Sequence, residues 1–274
     1  MSAPEEHPRP GGAHVVTGGG RGIGRATAEH LLDLGAGAVA VVEADSAALE
    51  WTAAHPRAGR LVPVRGDAAE EGTAERAAEA AQDAAGAPLA GWVNNAAVFR
   101  DASLHTTPAR QVMGLIEANL APAVAGCAVA VRHMSAAGAG AIVNVSSHQA
   151  RQAVPGCAPY ATAKAAIEGL TRALAVEYGP RGVRVNAVAL GSVATERYEA
   201  YLAGLDEEGA GRVRAQMARV HPLGRVGTAR EAAAAIAHLL SPSAGFITGA
   251  TVPVDGGRTV LAHDPEAHET GEGR

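Results

Sequence analysis

Apolar residues in this 274-residue chain gather in short runs, and the runs alternate with longer stretches of helical period. The runs Ala13–Thr17, Ala38–Glu43, Leu61–Val64, Gly91–Val93, Ala141–Val145, Val183–Val188 and Thr251–Val254 are apolar at most consecutive positions. A strand that is apolar on both faces is buried on both faces, as in a parallel sheet covered by helices. Between these runs, Ala-rich stretches at 22–34, 46–54, 70–85, 108–136, 159–179 and 229–240 predict helices. The alternation predicts one α/β domain over residues 13–262, with a seven-stranded, doubly wound parallel sheet and helices on both faces. Residues 1–12 and 263–274 read as flexible tails. One stretch breaks the alternation. Residues 191–222 carry many charges and no clear strand, which predicts a lid over a substrate site.

Composition narrows the class. Hydrophobic residues make up 47% and charged residues 19%, which excludes a disordered chain. The net charge of −5, with basic residues dispersed, gives no nucleic-acid surface. Cys127 and Cys157 stand alone, and the opening residues carry no apolar signal core, so a reducing cytoplasmic location is expected. The apolar stretch Leu120–Val131 is interrupted by Pro122 and is too short to cross a bilayer, so no membrane partner is expected. The 11 histidines are dispersed without a metal-ligand spacing, and no metal site is expected. The chain has 65 Ala, 34 Gly and 22 Arg, but a single Lys and five Asn. Each remaining Lys or Asn therefore carries information.

The first strand runs into Thr17-Gly18-Gly19-Gly20-Arg21-Gly22-Ile23-Gly24 and then a helix. Glycines let backbone approach a phosphate closely, and the helix N-terminus offers free N–H groups and positive dipole. This places a dinucleotide pyrophosphate on Gly18, Gly22, Ile23 and Gly24 of a Rossmann-type sheet. Glu43 ends the second strand 19 residues after Gly24, where a carboxylate accepts ribose hydroxyls and repels a 2′-phosphate. NAD is therefore the expected cofactor. NADP stays open, because Arg21 in the loop is able to meet a 2′-phosphate.

The only lysine, Lys164, follows Tyr160 by four residues, so both share one helix face. An ordinary phenol titrates near pH 10 and is a poor acid–base at neutrality. A neighbouring ammonium and a positive nicotinamide are expected to lower that value. Thirteen residues before Tyr160, Ser147 closes the run Ile142–Ser147 at a strand's carboxyl end, where α/β folds bind ligands. Adjacent strand residues point oppositely, so only one of Ser146 and Ser147 should face the site.

The loop TGxxxGxG, Asn94-Asn95-Ala96-Ala97, Ser147 with Tyr160-x-x-x-Lys164, His221-Pro222-Leu223-Gly224-Arg225 and Val254-Asp255-Gly256-Gly257 together resemble the short-chain dehydrogenase/reductase family, classical subfamily, over residues 13–261. The spacing of that family selects Ser147 over Ser146. The resemblance implies hydride transfer between a nicotinamide cofactor and a secondary alcohol or ketone, with Asn119, Ser147, Tyr160 and Lys164 as catalytic residues. It also implies that Asp67 contacts the adenine amino group and that Ala68, Asn95, Val193, Thr195, Tyr160 and Lys164 belong to the cofactor site. Two positions depart from the family pattern. Ala97 replaces a glycine, and Leu190 replaces a proline before Gly191. An NADPH-dependent 3-oxoacyl-[acyl-carrier-protein] reductase and a non-catalytic dinucleotide sensor are the alternatives. Phe99, Arg100, His148, Arg151, Gln152, Val154, Tyr198 and Tyr201 are expected to line the substrate pocket. The helices 108–136 and 159–179 correspond to the family's dimer interface, so a homotetramer is expected, with a dimer second.

Overall fold

The structure is a computed structural model and describes residues 11–262. Strands β1 (Ala13–Thr17), β2 (Ala38–Glu43), β3 (Leu61–Arg65), β4 (Leu89–Asn94), β5 (Gly140–Ser147), β6 (Val183–Leu190) and β9 (Thr251–Val254) form one sheet in the order β3-β2-β1-β4-β5-β6-β9. Every pairing is parallel, as the two-sided apolarity of the strands requires. Helices α1 (Gly22–Asp33) and α8 (Ala229–Leu240) cover one face. Helices α3 (Glu71–Ala85), α4 (Ala109–Ala137) and α5 (Ala158–Tyr178) cover the other. The seven strand runs read from sequence are the seven strands of this sheet. The stretch 46–54 is a 3₁₀ turn, Ser46–Leu49, followed by the short helix α2 (Glu50–Ala54).

Three expectations change. The segment 191–222 is not featureless: it holds the two-residue strand β7 (Val193–Ala194) and helices α6 (Glu196–Ala203) and α7 (Glu207–Arg219). Strand β7 pairs with β8 (Gly227–Thr228) in a separate two-stranded sheet. Acidic first turns, Glu196 with Glu199 and Glu207 with Glu208, start both helices against the positive end of the dipole, and Asp206 caps α7 through Gly209 N–H. The tails expected at 1–12 and 263–274 lie outside the described residues except for Gly11 and Gly12. Those two belong to the fold, since Gly11 N–H donates to Gly35 O and Gly12 O accepts from Gly37 N–H. Finally, α4 runs for 29 residues, well beyond its central apolar run, and an 18-residue window within it reaches a mean hydropathy of 1.6, so by length and composition alone it is long and apolar enough to cross a membrane. Packing on the sheet, α3 and α5 accounts for its buried side, while Met113 and Val124 remain exposed.

A buried polar chain joins β4, β5 and α5. Trp92 Nε1 donates to Asn94 Oδ1 (2.7 Å), Asn94 Nδ2 to Asn144 Oδ1 (2.8 Å), and Asn144 Nδ2 to Thr171 Oγ1 (2.9 Å). Thr171 in turn donates to Ile167 O at 2.8 Å. Each buried donor thus finds an acceptor, and the chain sets the position of α5 on the sheet. Helix α4 presses on the same chain through Gly126, where an added Cβ would lie 2.1 Å from Asn94 Oδ1. Asn144→Ala leaves both neighbours short of a partner and opens a small cavity. It should lower unfolding free energy by about 2–4 kcal/mol in chemical denaturation, with the crevice residues left unchanged in sequence.

Candidate active site

Strand order reverses between β1 and β4, so the connections leaving their carboxyl ends diverge and open a crevice. The crevice measures about 880 Å³ and runs from Glu43 and Asp67 at one end to Arg197, Tyr198 and Met217 at the other. Of the residues expected to bind cofactor, Gly18, Arg21, Gly22, Ile23, Glu43, Asp67, Ala68, Asn95, Tyr160, Lys164, Val193 and Thr195 line it. Gly24 lies behind the wall and acts by close packing: a Cβ there would sit 2.1 Å from Gly18 O.

The glycine loop is held by its neighbours across the switch. Gly18 has φ +62°, and a Cβ on it would meet Ala96 Cα at 2.8 Å. Asn95 Nδ2 donates to Thr17 O (3.1 Å) and Gly18 O (2.9 Å), while Thr17 Oγ1 accepts from the N–H groups of Asn95 and Ala96. The N–H groups of the first turn of α1 have no helical acceptor, and no side chain caps them. They form a cradle suited to a pyrophosphate. At the other end, Glu43 accepts from Gly20 (3.3 Å), Ala44 (2.9 Å) and Asp45 (3.3 Å) N–H groups, which fix its carboxylate at the crevice floor. Arg21 is drawn away into a 2.5 Å ion pair with Asp45. Asp67 Oδ1 accepts from Ala69 N–H (2.9 Å). The dinucleotide fits this geometry.

In the middle of the crevice, β5 and α5 bring Ser147, Tyr160 and Lys164 together. The Ser147 hydroxyl accepts Gln149 N–H (3.2 Å) and is hydrogen-bonded to Tyr160, so its own proton is free to point at the phenol oxygen. Lys164 is buried; its Nζ donates to Val145 O (2.8 Å) and lies 5.4 Å from the Tyr160 ring centroid. Ser146 points the other way, donating to Glu168 Oε1 and Lys164 O. Asn119 does not line the crevice. It is buried in α4, accepting Val98 N–H (3.0 Å) and donating to Leu115 O (3.0 Å), which ties the strand-β4 loop to the helix.

The protein's own groups do not by themselves lower the phenol. Burial pushes Tyr160 up to about 12, and the Ser147 hydrogen bond and the Arg197 charge only partly oppose it. The Lys164 Nζ lies over the ring, 5.4 Å from its centroid, and is not among the groups that lower that value. Burial also brings Lys164 down to about 8. Of the expected substrate-pocket residues, Phe99, His148 and Tyr198 line the crevice. Arg100, Arg151, Gln152, Val154 and Tyr201 do not: Arg151 pairs with Glu168 (3.5 Å), Gln152 donates to Thr259 O (2.9 Å) and Tyr201 faces out. His148 Nδ1 donates to Leu190 O, and burial holds the ring at about 4, so it is neutral. Its Nε2 is a buried acceptor with no partner among the described residues. Sequence reading missed Arg197, whose guanidinium carbon lies 3.9 Å from the Phe99 centroid, and Phe99 lies 4.9 Å from Tyr160. Its only signal was a charge inside the segment without strand pattern. At Gly191, which keeps the family glycine beside the Leu190 departure, a Cβ would lie 2.7 Å from Asp255 Cα.

Residues 18–259 match a protein family described as enoyl-(acyl carrier protein) reductase. The chain is 40% identical over 249 residues to cis-4-hydroxycyclohexanecarboxylate dehydrogenase of Sinomonas cyclohexanicum, covering 90% of this chain and 96% of that protein. Together with the Ser147–Tyr160–Lys164 geometry, this decides the matter. The chain belongs to the short-chain dehydrogenase/reductase family. This oxidoreductase resembles the crystal structure of levodione reductase with TM-score 0.84 and 31% identity, covering 92% of this chain and 99% of that one. It resembles a gluconate 5-dehydrogenase from Burkholderia cenocepacia, solved with NADP and tartrate, with TM-score 0.82 and 28% identity over 94% and 99% of the two chains.

A buried amine at about 8 gives up its proton before the same amine in the unfolded chain, so between pH 8 and 10 the unfolded state binds more protons and this group adds stability as pH rises. Lys164 is the only side-chain amine. Its labelling by an amine-selective reagent, followed by peptide mass spectrometry, should show a midpoint near pH 8 instead of 10.5, and Lys164→Met should abolish the stability gain between pH 8 and 10.

Proposed function

We propose that this enzyme is an NAD(H)-preferring dehydrogenase of secondary alcohols and reductase of the matching ketones. The observation that carries the reading is the Ser147–Tyr160–Lys164 set within one crevice that also holds the glycine cradle. A bound nicotinamide supplies or takes up the hydride. Ser147 holds the substrate oxygen beside Tyr160, whose hydroxyl gives a proton to a carbonyl oxygen or takes one from a carbinol. A phenol raised to about 12 keeps its proton at neutral pH, so reduction starts from the populated form, whereas oxidation draws on the phenolate, whose share grows as pH rises. Lys164 keeps two further donors beyond the one given to Val145, and these suit ribose hydroxyls. Asn119 contributes as a positioning group in α4, holding the Val98 N–H beside the crevice and supporting a proton relay toward Lys164.

NAD is favoured because Glu43 is fixed at the crevice floor and Arg21 is committed to Asp45. A 2′-phosphate at that place meets a carboxylate without a free guanidinium. The second reading, an NADPH-dependent 3-oxoacyl-[acyl-carrier-protein] reductase, is favoured by the carrier-protein description of the matched family. A dinucleotide sensor has no need of the full set of catalytic groups. The enzyme works as a cytoplasmic homotetramer, with a dimer second. Exposed Met113 and Val124 on α4, Val176 on α5, and Phe246 and Val260 near the end of the domain supply apolar surface for such contacts.

Steady-state kinetics with a panel of secondary alcohols and ketones test the chemistry. Tyr160→Phe should lower kcat by about 10² or more with cofactor binding retained, and Glu43→Ala should narrow the preference for NAD over NADP in kcat/KM. Near-normal turnover by the phenylalanine variant, or a tenfold NADP preference in the wild type, rejects the respective assignment. Light scattering at micromolar concentration should give about four times the 27.5 kDa chain mass.

A further inference from the structure

The substrate end of the crevice holds a charge that a neutral alcohol does not need. Arg197 stands in the first turn of α6 and lines the crevice, with its guanidinium carbon over the Phe99 ring at 3.9 Å, and Phe99 in turn contacts the Tyr160 ring. Arg197 makes no ion pair among the described residues. Its acidic neighbour Glu196 turns toward the glycine loop, its Oε2 lying 3.5 Å from where a Cβ on Gly22 would be. Arg151 is taken by Glu168, and Arg258 donates to Ser192 Oγ at 3.0 Å. Among the described residues, Arg197 is therefore the uncommitted guanidinium at this end. A guanidinium held over an aromatic ring by that contact spends no N–H group on a hydrogen bond, and its planar fork matches a carboxylate with two parallel hydrogen bonds. The surrounding wall of Val98, Phe99, Leu190 and Met217 is apolar, which strengthens any charge pair formed there.

We propose that the physiological substrate is a hydroxy acid or oxo acid, and that Arg197, held over Phe99, binds its acidic group while Ser147 and Tyr160 engage the reacting oxygen. This rests on the reading of the crevice as an alcohol/ketone site and names which alcohols and ketones it takes.

The test compares 4-oxopentanoate and 5-oxohexanoate with their primary amides, which match them in shape and lack the charge. The wild type should favour each acid over its amide at least tenfold in kcat/KM. Arg197→Met should collapse that ratio toward unity, and Arg197→Lys should restore part of it. A purely structural role of Arg197 in α6 lowers acid and amide together and leaves the ratio unchanged, which overturns the proposal, as does a wild-type ratio near one. If neither acid nor amide is turned over with either cofactor, the alcohol/ketone reading fails separately. Calorimetric binding of the same two acids and amides then decides Arg197: acid-selective binding lost in Arg197→Met supports it, and equal binding overturns it.

Discussion

The molecule depends on a close approach between two backbones at the point where strand order reverses. Gly18 and Ala96 pass so near that no side chain fits between them, and Asn95 bridges the gap with hydrogen bonds to two successive carbonyls. This contact closes the floor of the crevice and fixes the entry to α1. With the floor set, the carboxyl ends of β4 and β5 deliver Asn95 on one side and Ser147 on the other. The divergent helices above leave the space that the parallel sheet cannot fill.

Much of this was legible in the chain because the relevant residues have few alternatives. Seven runs apolar on both faces have no home except a covered parallel sheet, and a glycine loop before a helix has a narrow range of uses. The low count of Lys and Asn sharpened the reading further: Asn94 and Asn144 anchor the buried polar chain, Asn95 the loop, and Lys164 the centre. Helices α6 and α7 were illegible for a physical reason. They bury few residues, Leu202 in one and Gly209 with Ala210 in the other. Their apolar period is therefore too thin to register. The same thinness hid Arg197, whose meaning depends on a ring nearly a hundred residues earlier in the chain. Arg100 and Arg151, judged by proximity to strand ends alone, were misplaced because side-chain direction is decided by partners such as Glu168.

The phenol shows where residue spacing ceases to predict chemistry. An i, i+4 pair guarantees a shared helix face, and Tyr160 with Lys164 has it. It does not guarantee that the ammonium lowers the phenol. Here the lysine turns to the Val145 carbonyl, and burial acts on both groups in opposite directions, raising the acid and weakening the cation. The two groups are held nearer to neutrality by the same dry surroundings that make their hydrogen bonds strong.

Having only one lysine also changes the outside of the protein. All remaining basic side chains are guanidinium or imidazole, and the surface ion pairs of α1, α4, α7 and the β8–α8 junction all use arginine. Guanidinium keeps its charge far into the alkaline range, so the field around the molecule is nearly constant where a lysine-rich relative would discharge. The surface is also blank to aldehydes, acylating metabolites and bifunctional cross-linkers that require a side-chain amine. The one side chain they recognise lies under the Tyr160 ring in the crevice, so adduct formation there reports whether the crevice is open.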